Sequence, residues 1–229
     1  MHIEYLFHRV SKASLWNCLS TSGGLAEWFA DDVTDKDKVL IVGAGPLGLT
    51  ALGMAALKAK QVIAVDFHQN RLDMAKEFGA AFTYNRSKMS TQEILEAIKA
   101  SVGEVDISFM CIALDESKEL DAFHLAVEAT RDWGRISGLN VEVKLEHHNH
   151  RMNPFHLTRK NIKYRHFLER NPRGEDFQEA YNMVGEGKFS IGKMITHRVT
   201  LDKLDWALKM AHLHLDQCIK IILYPWTEE

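Results

Sequence analysis

Gly43-Ala44-Gly45-Pro46-Leu47-Gly48 sets three glycines in a G-x-G-x-x-G pattern, and Asp66 follows 18 residues after the last of them. Glycines cluster in many turns, so the flanking residues decide what this turn can do. The motif ends an apolar run, Val39-Leu40-Ile41-Val42, and opens an Ala- and Leu-rich segment from Leu49 to Lys60, while Asp66 closes a second apolar run that starts at Val62. Strand, turn, helix and a second strand ending in a carboxylate is the context in which such a turn holds a diphosphate. Gly43 permits the tight turn, Gly45 removes a side chain so that backbone can approach a pyrophosphate, and Gly48 lets the helix pack closely on the strand, with Pro46 and Leu47 between them. The helix N-terminus adds free amide donors and the positive end of its dipole. Asp66 can accept hydrogen bonds from both hydroxyls of an adenosine ribose, and its charge repels a 2′-phosphate, so the expected cofactor is NAD rather than NADP. Arg71, five residues on, stays open between three readings: a guanidinium stacked over adenine, a partial receptor for a phosphate, or a solvated helix charge.

These residues need a scaffold, and alternation along the chain supplies one. Strand candidates are Val39–Val42, Val62–Asp66, Ala81–Tyr84, Val105–Ile112, Arg135–Leu139 and Ile162–Phe167. Most are separated by helical segments, which predicts a doubly wound parallel α/β sheet. Leu72, Ala75 and Phe78 recur at helical spacing up to Gly79, a left-handed C-terminal cap, and Ser90-Thr91-Gln92-Glu93 has the form of a capping box. Glu119–Thr130 and Glu175–Val184 are periodic without caps, the latter with Phe177, Ala180, Tyr181 and Val184 as its apolar stripe. The tail reads as a strand, Ile195–Val199, a helix, Leu201–His212, with Leu201, Leu204, Leu208 and Ala211 on one face, and a last strand, Ile219–Tyr224. With four prolines and no low-complexity linker it is expected to pack rather than swing, either onto the sheet or as part of a second lobe. Residues 1–36 depart from the alternation, with a strand candidate at Ile3–Val10, a short helix at Ser11–Leu19 and a core or interface pair at Trp28-Phe29. The expected division is therefore 1–36, 37–190 and 191–229.

Composition narrows the function classes. The chain has 229 residues and a formal net charge of -3, which provides no field for nucleic acid. Cys18, Cys111 and Cys218 are odd in number and far apart, so neither a disulfide framework nor a cysteine-rich zinc lobe is expected, and a reducing, cytoplasmic setting follows. Val39–Leu57 carries no charge, but the glycine turn divides it into strand and helix, so no membrane span is expected. No metal site is expected either. Glu146-His147-His148-Asn149-His150 is dense in ligand types but fixes no tetrahedral set and reads as a solvated loop, and His212 and His214 would face different ways on a helix. His197 reads as a structural strand residue, Trp206 as a core or interface aromatic, and Cys111 as lining for a cofactor rather than a nucleophile, since no partner base is identifiable.

Asp37–Leu49 with Val65-Asp66 and Arg71–Ala80 resembles the medium-chain dehydrogenase family of zinc-type alcohol, sorbitol and threonine dehydrogenases. The likeness continues through Val105-Asp106-Ile107, Trp133–Gly138, Met194–Arg198 and Ile219–Leu223. It implies a Rossmann fold, contacts from Leu47, Asp66 and Arg71 to NAD, and a route to the nicotinamide lined by Cys111, Ile112 and Ala113 with Gly138 and Leu139. Trp133 stands where the family usually has a second glycine, which implies an altered turn. The family's GroES-like lobe, with its Cys ligand and Gly-His-Glu motif, has no counterpart here. Residues 1–36 instead resemble the opening of a START-like domain, in Ile3–Phe7 and Leu19–Asp31.

Two readings of function follow. One is an NAD-dependent oxidoreductase moving hydride from an alcohol or polyol, for which no stabiliser of the developing alkoxide is visible. The other is a truncated or chimeric NAD-binding module without turnover, with an exposed apolar patch that favours self-association, as a homo-oligomer, or a partner.

Overall fold

Lys38–Val42 (β1) buries Val39, Leu40, Ile41 and Val42 on both of its faces, which requires a central strand covered by helices on either side. The computed structural model describes residues 33–112, 116–138, 154–166, 182, 185–188 and 190–224. It sets β1 between Gln61–Asp66 (β2) and Val105–Met110 (β4), with Phe82–Asn85 (β3), Thr130–Gly138 (β5) and Lys163–His166 (β6) completing a six-stranded parallel sheet in the order β3-β2-β1-β4-β5-β6. The order reverses at β1, and a doubly wound sheet opens a ligand crevice at the carboxyl ends of its strands there. Pro46–Ala56 (α1) and Gln69–Glu77 (α2) cover one face, where Leu49, Leu52 and Leu72 meet Val39 and Ile41. Thr91–Ser101 (α3) and Glu116–Ala129 (α4) cover the other, where Ile94, Ile98 and Leu125 meet Leu40 and Ile63. Pro154–Arg159 (α5) leads into β6.

Two local signals act as the sequence predicts. Gly79 has φ +104°, its amide donates to the Lys76 carbonyl and the Ala80 amide to that of Ala75, a left-handed close to α2. The Glu93 amide donates to Ser90 Oγ and the Ser90 amide to Glu93, which holds the Glu93 carboxyl below its ordinary pKa. Several boundaries move. α1 starts at Pro46 rather than Leu49, because proline suits a first helical position where no N–H is needed, and it ends at Ala56, before the Lys60 amide turns back to the Asp37 carbonyl. β4 stops at Met110, since beyond the Cys111 amide, still bonded to the Val42 carbonyl, the chain turns over Gly43. β5 begins at Thr130 rather than Arg135, directly after α4, and its pairing shifts register between Val105 and Ile107. The helix expected over Glu175–Val184, apart from Asn182, the START-like segment up to residue 32 and the histidine cluster lie outside the described residues.

The tail packs, as expected, but on its own sheet. Ile195–Thr200 (β7) and Lys220–Tyr224 (β8) form a parallel pair, and Ile191, Met194 and Ile219 enter the core beside α1 and α2. The helix between them divides into a 3-10 turn, Leu201–Lys203, and Leu204–Leu213 (α6). Its stripe of Leu201, Leu204, Leu208 and Ala211 shares a face and is exposed, with Leu208 61% accessible. Among the described residues no helix is long and apolar enough to cross a membrane.

Trp133 has φ +61° and is 67% exposed, so it has a left-handed backbone without packing in return. Trp133→Gly is expected to stabilise the fold by about 1 kcal/mol, seen as a higher urea midpoint. At the start of β4, Asp106 accepts from the Lys38 amide (2.8 Å) and from Arg131 Nε (2.6 Å). Burial pushes its pKa up, but these hydrogen bonds and the two positive charges prevail and hold the carboxyl below its ordinary value. A carboxyl depressed in this way stabilises the fold above its unfolded pKa of about 3.9 and loses that contribution as pH falls through the folded value. Asp106→Asn should cost about 1 kcal/mol at pH 7, and the gap to the parent should close as pH drops below about 4.

Candidate functional site

The crevice is built first by what cannot fit in it. Gly43 has φ +94°, and a Cβ there would lie 2.5 Å from the Cys111 carbonyl oxygen and 3.0 Å from Ile112 Cγ2. Its amide donates to the Val65 carbonyl at 2.8 Å, tying the turn to β2. A Cβ on Gly48 would overlap the Gly43 carbonyl oxygen, so α1 leaves the turn by passing directly over it. Gly45 differs from both. Its φ of -66° suits any residue, and an added Cβ would meet only Arg71 Nη1, at 3.7 Å. Nothing inside the protein calls for glycine at 45; a side chain there would fill the open space in front of the turn. No side chain caps α1, whose first position is Pro46, so its leading amides face that same space.

Asp66 ends β2 with 6% of its surface exposed. Its Oδ2 accepts from the Ala44 amide (2.7 Å) and its Oδ1 from the His68 amide (2.8 Å), so one carboxylate joins the glycine turn to the start of α2. Arg71 Nη1 stands 3.9 Å from Oδ2, and the guanidinium side chain is only 14% exposed. Of its three readings the solvated helix charge is therefore excluded, and the side chain lies over the glycine turn. Among the described residues, Asn70 Oδ1, Arg71 Nε and Ser137 Oγ are the buried side-chain atoms without a hydrogen-bond partner. All three sit at the carboxyl edge of the sheet, on the first turn of α2 and the end of β5. Buried polar atoms are almost always paired, so this edge holds capacity for a polar ligand or water.

The remaining expected residues surround the turn. Leu47 is half-buried on the core beneath α1, and Ile112 packs against the opposite core. Cys111 is buried under the turn, where loss of solvent pushes its thiol pKa far up, so it contributes packing and a carbonyl rather than a nucleophile. Gly138 ends β5, paired with Met110 of β4. Ala113 and Leu139 lie outside the described residues. Ser137 was missed by sequence reasoning, although a serine inside a strand buried on both faces was a usable signal. His197 pairs with Thr196 Oγ1 (2.9 Å) and meets the Trp206 ring edge-on, consistent with a structural role, and His214 falls beyond the end of α6. Among the described residues no three His, Cys, Asp or Glu side chains are grouped to hold a metal ion.

A parallel doubly wound sheet, a glycine turn opening a helix and a carboxylate at the second strand define a nucleotide-binding domain of Rossmann type. The zinc-binding dehydrogenase family profile matches residues 46–186, and the chain belongs to that family. It is 27% identical over 197 residues to sorbitol dehydrogenase 1 of Saccharomyces cerevisiae, covering 82% of this chain and 51% of the relative. To galactitol 1-phosphate 5-dehydrogenase of Escherichia coli it is 28% identical over 188 residues, covering 76% and 50%. The solved alcohol dehydrogenase of Thermotoga maritima superposes with a TM-score of 0.73 at 26% identity, over 90% of this chain and 55% of that one. The chain thus spans about half the length of the curated relatives it matches.

The glycines separate experimentally. Gly48→Ala forces a methyl into backbone and should cost at least about 3 kcal/mol or prevent folding, whereas Gly45→Ala should leave the thermal midpoint within about 2 °C of the parent. Thermal unfolding followed by circular dichroism checks both.

Proposed function

We propose that this chain binds NAD at the carboxyl edge of its sheet and serves an alcohol- or polyol-oxidising dehydrogenase reaction. The observation that carries the reading is Gly45, whose missing side chain leaves room only on the ligand side, in front of an uncapped helix. On this reading residues 37–190 are the nucleotide-binding domain and 191–229 the segment that follows it, whose Ile191, Met194 and Ile219 enter the same core. The residues present fit the cofactor: the amides of α1 and the bare backbone at Gly45 take the pyrophosphate, and the lone pairs left on Asp66 accept the ribose hydroxyls. Arg71 closes the adenosine side. Cys111, Ile112 and Gly138 stand at the carboxyl ends of β4 and β5, on the way to the nicotinamide, and the family resemblance adds Ala113 and Leu139 to that route. When bound, NAD supplies a nicotinamide ring that accepts a hydride from the alcohol carbon. The relatives named for sorbitol and galactitol 1-phosphate support a polyhydric alcohol as the substrate class.

Titration of NADH fluorescence tests the reading. The parent should bind, and Gly45→Ala and Asp66→Ala should each weaken binding by about tenfold or more, the first without loss of stability. A screen of alcohols and polyols with NAD should give NADH at 340 nm, and turnover that appears only with added zinc would reveal a ligand set outside the described residues. Binding without turnover on any alcohol would limit the chain to nucleotide binding, and failure to bind NADH would remove the proposal.

A further inference from the structure

Exposed apolar surface is concentrated in the tail. Of nine large apolar side chains exposed among the described residues, six lie between 201 and 223, and Leu201, Leu204 and Leu208 are 52%, 39% and 61% accessible. With Ala211 they form one stripe along the 3-10 turn Leu201–Lys203 and α6. Ala207 is the one buried residue of α6, so the helix has little packing of its own. A helix of ten residues is marginal without a covered face, and this stripe therefore calls for a surface to lie against. Its spacing says which. Leu201, Leu204, Leu208 and Ala211 stand symmetrically about residue 206, so a reversed copy sets Leu204 against Leu208 and Leu201 against Ala211, a large side chain facing a small one at each end. The charges agree. Asp205 and Lys209 pair with each other at 2.7 Å beside the stripe, and the same reversal brings each Asp205 within about 3 Å, along the axis, of the level of Lys209 on the other helix. A parallel copy would set Asp205 against Asp205 and Lys209 against Lys209.

We propose that this stripe is the interface of a two-fold dimer, in which α6 packs antiparallel on α6 of a second copy of this chain. The contact is isologous, so each pairing of side chains occurs twice and the assembly closes at two copies instead of growing into a filament. Burial of the leucines of both copies drives association, and the Asp205 and Lys209 rims set its direction. A stripe of about three turns is short for an interface, which gives a dimer of micromolar rather than nanomolar strength. No residue of the stripe belongs to the nucleotide crevice, which lies at the carboxyl edge of the six-stranded sheet, so dimerisation and nucleotide binding stand or fall separately.

Size-exclusion chromatography with light scattering on the whole chain tests this, with circular dichroism confirming that each variant folds. The parent should be monomeric at about 1 µM and mostly dimeric at about 200 µM. Leu204→Lys and Leu208→Glu, both at exposed positions, should each raise the dimer Kd by about a hundredfold or more. An equimolar mixture of the two variants should form a dimer at least about tenfold tighter than either alone. Antiparallel packing sets the introduced ammonium at 204 against the introduced carboxylate at 208 and leaves the other Leu204–Leu208 contact intact. A parent that stays monomeric up to about 500 µM overturns the inference and leaves the stripe to another part of the chain or to a different protein. A dimer that both variants leave unchanged uses another surface and overturns it equally. Loss of the dimer in each variant without recovery in the mixture overturns the antiparallel pairing.

Discussion

The first turn of α1 rests on the Gly43 carbonyl so closely that no methyl group fits at Gly48. Because interiors are close-packed, that contact fixes how near α1 comes to β1 and therefore where its free amides point. It also fixes the turn from below. Gly43 is held between the Val65 carbonyl, which accepts from its amide, and the Cys111 carbonyl, which leaves no room for a Cβ. β1, β2 and β4 thus meet at a single residue, and the crevice is shaped before any ligand arrives. A site of this kind loses little conformational freedom on binding, which is where preorganised pockets gain affinity.

Polar groups are distributed unevenly between the two ends of the sheet. At the amino ends, Asp106 satisfies the Lys38 amide and Arg131, and Asp37 pairs with Arg135 at 3.2 Å, joining the starts of β1, β4 and β5. Ser108 and Thr130 bond each other at 2.7 Å, and since Thr130 Oγ1 gives its proton to the Ala126 carbonyl, Ser108 is the donor. At the carboxyl ends Asp66 joins the Ala44 and His68 amides, but Arg71 Nε and Ser137 Oγ are left unpaired. Unpaired buried groups cost stability, and here they collect where a ligand would satisfy them. The paired groups at the amino ends hold the strands together, and among the described residues the unpaired ones gather at the carboxyl ends.

How much of this could be read from the residues depends on whether the cause is local. The glycine turn was legible because each requirement, a positive φ at Gly43 and close contact at Gly48, follows from residue type in a strand-turn-helix context. Gly79 and the Ser90–Glu93 box were legible for the same reason. The start of β5 was not, because Trp133 adopts a backbone that disfavours side chains and hides the strand's irregular first half. Arg71 stayed ambiguous because five residues of spacing fix its place on α2 but not its rotamer; only the fold brings it against Gly45. The α6 stripe shows the complementary limit. Periodicity identified which leucines share a face, but cover for that face comes from elsewhere in the chain or from another molecule.

The tail has a part in the site that its sequence did not announce. A two-stranded sheet is marginal by itself, and β7 and β8 gain stability by sending Ile191, Met194 and Ile219 into the core under α1 and α2. Two polar contacts add to this: Asn70 Nδ2 donates to the Leu215 carbonyl at 3.3 Å, and Lys193 pairs with Glu77 at 3.0 Å, so both ends of α2 are gripped from the tail. Arg71 is the neighbour of Asn70, and Cys218 lies within reach of its charge. The first turn of α2, which carries Arg71, is thus tied to a segment more than a hundred residues away in sequence. The tail therefore shares the core on one face of the sheet, whereas the core on the other face, under α3 and α4, contains none of its residues.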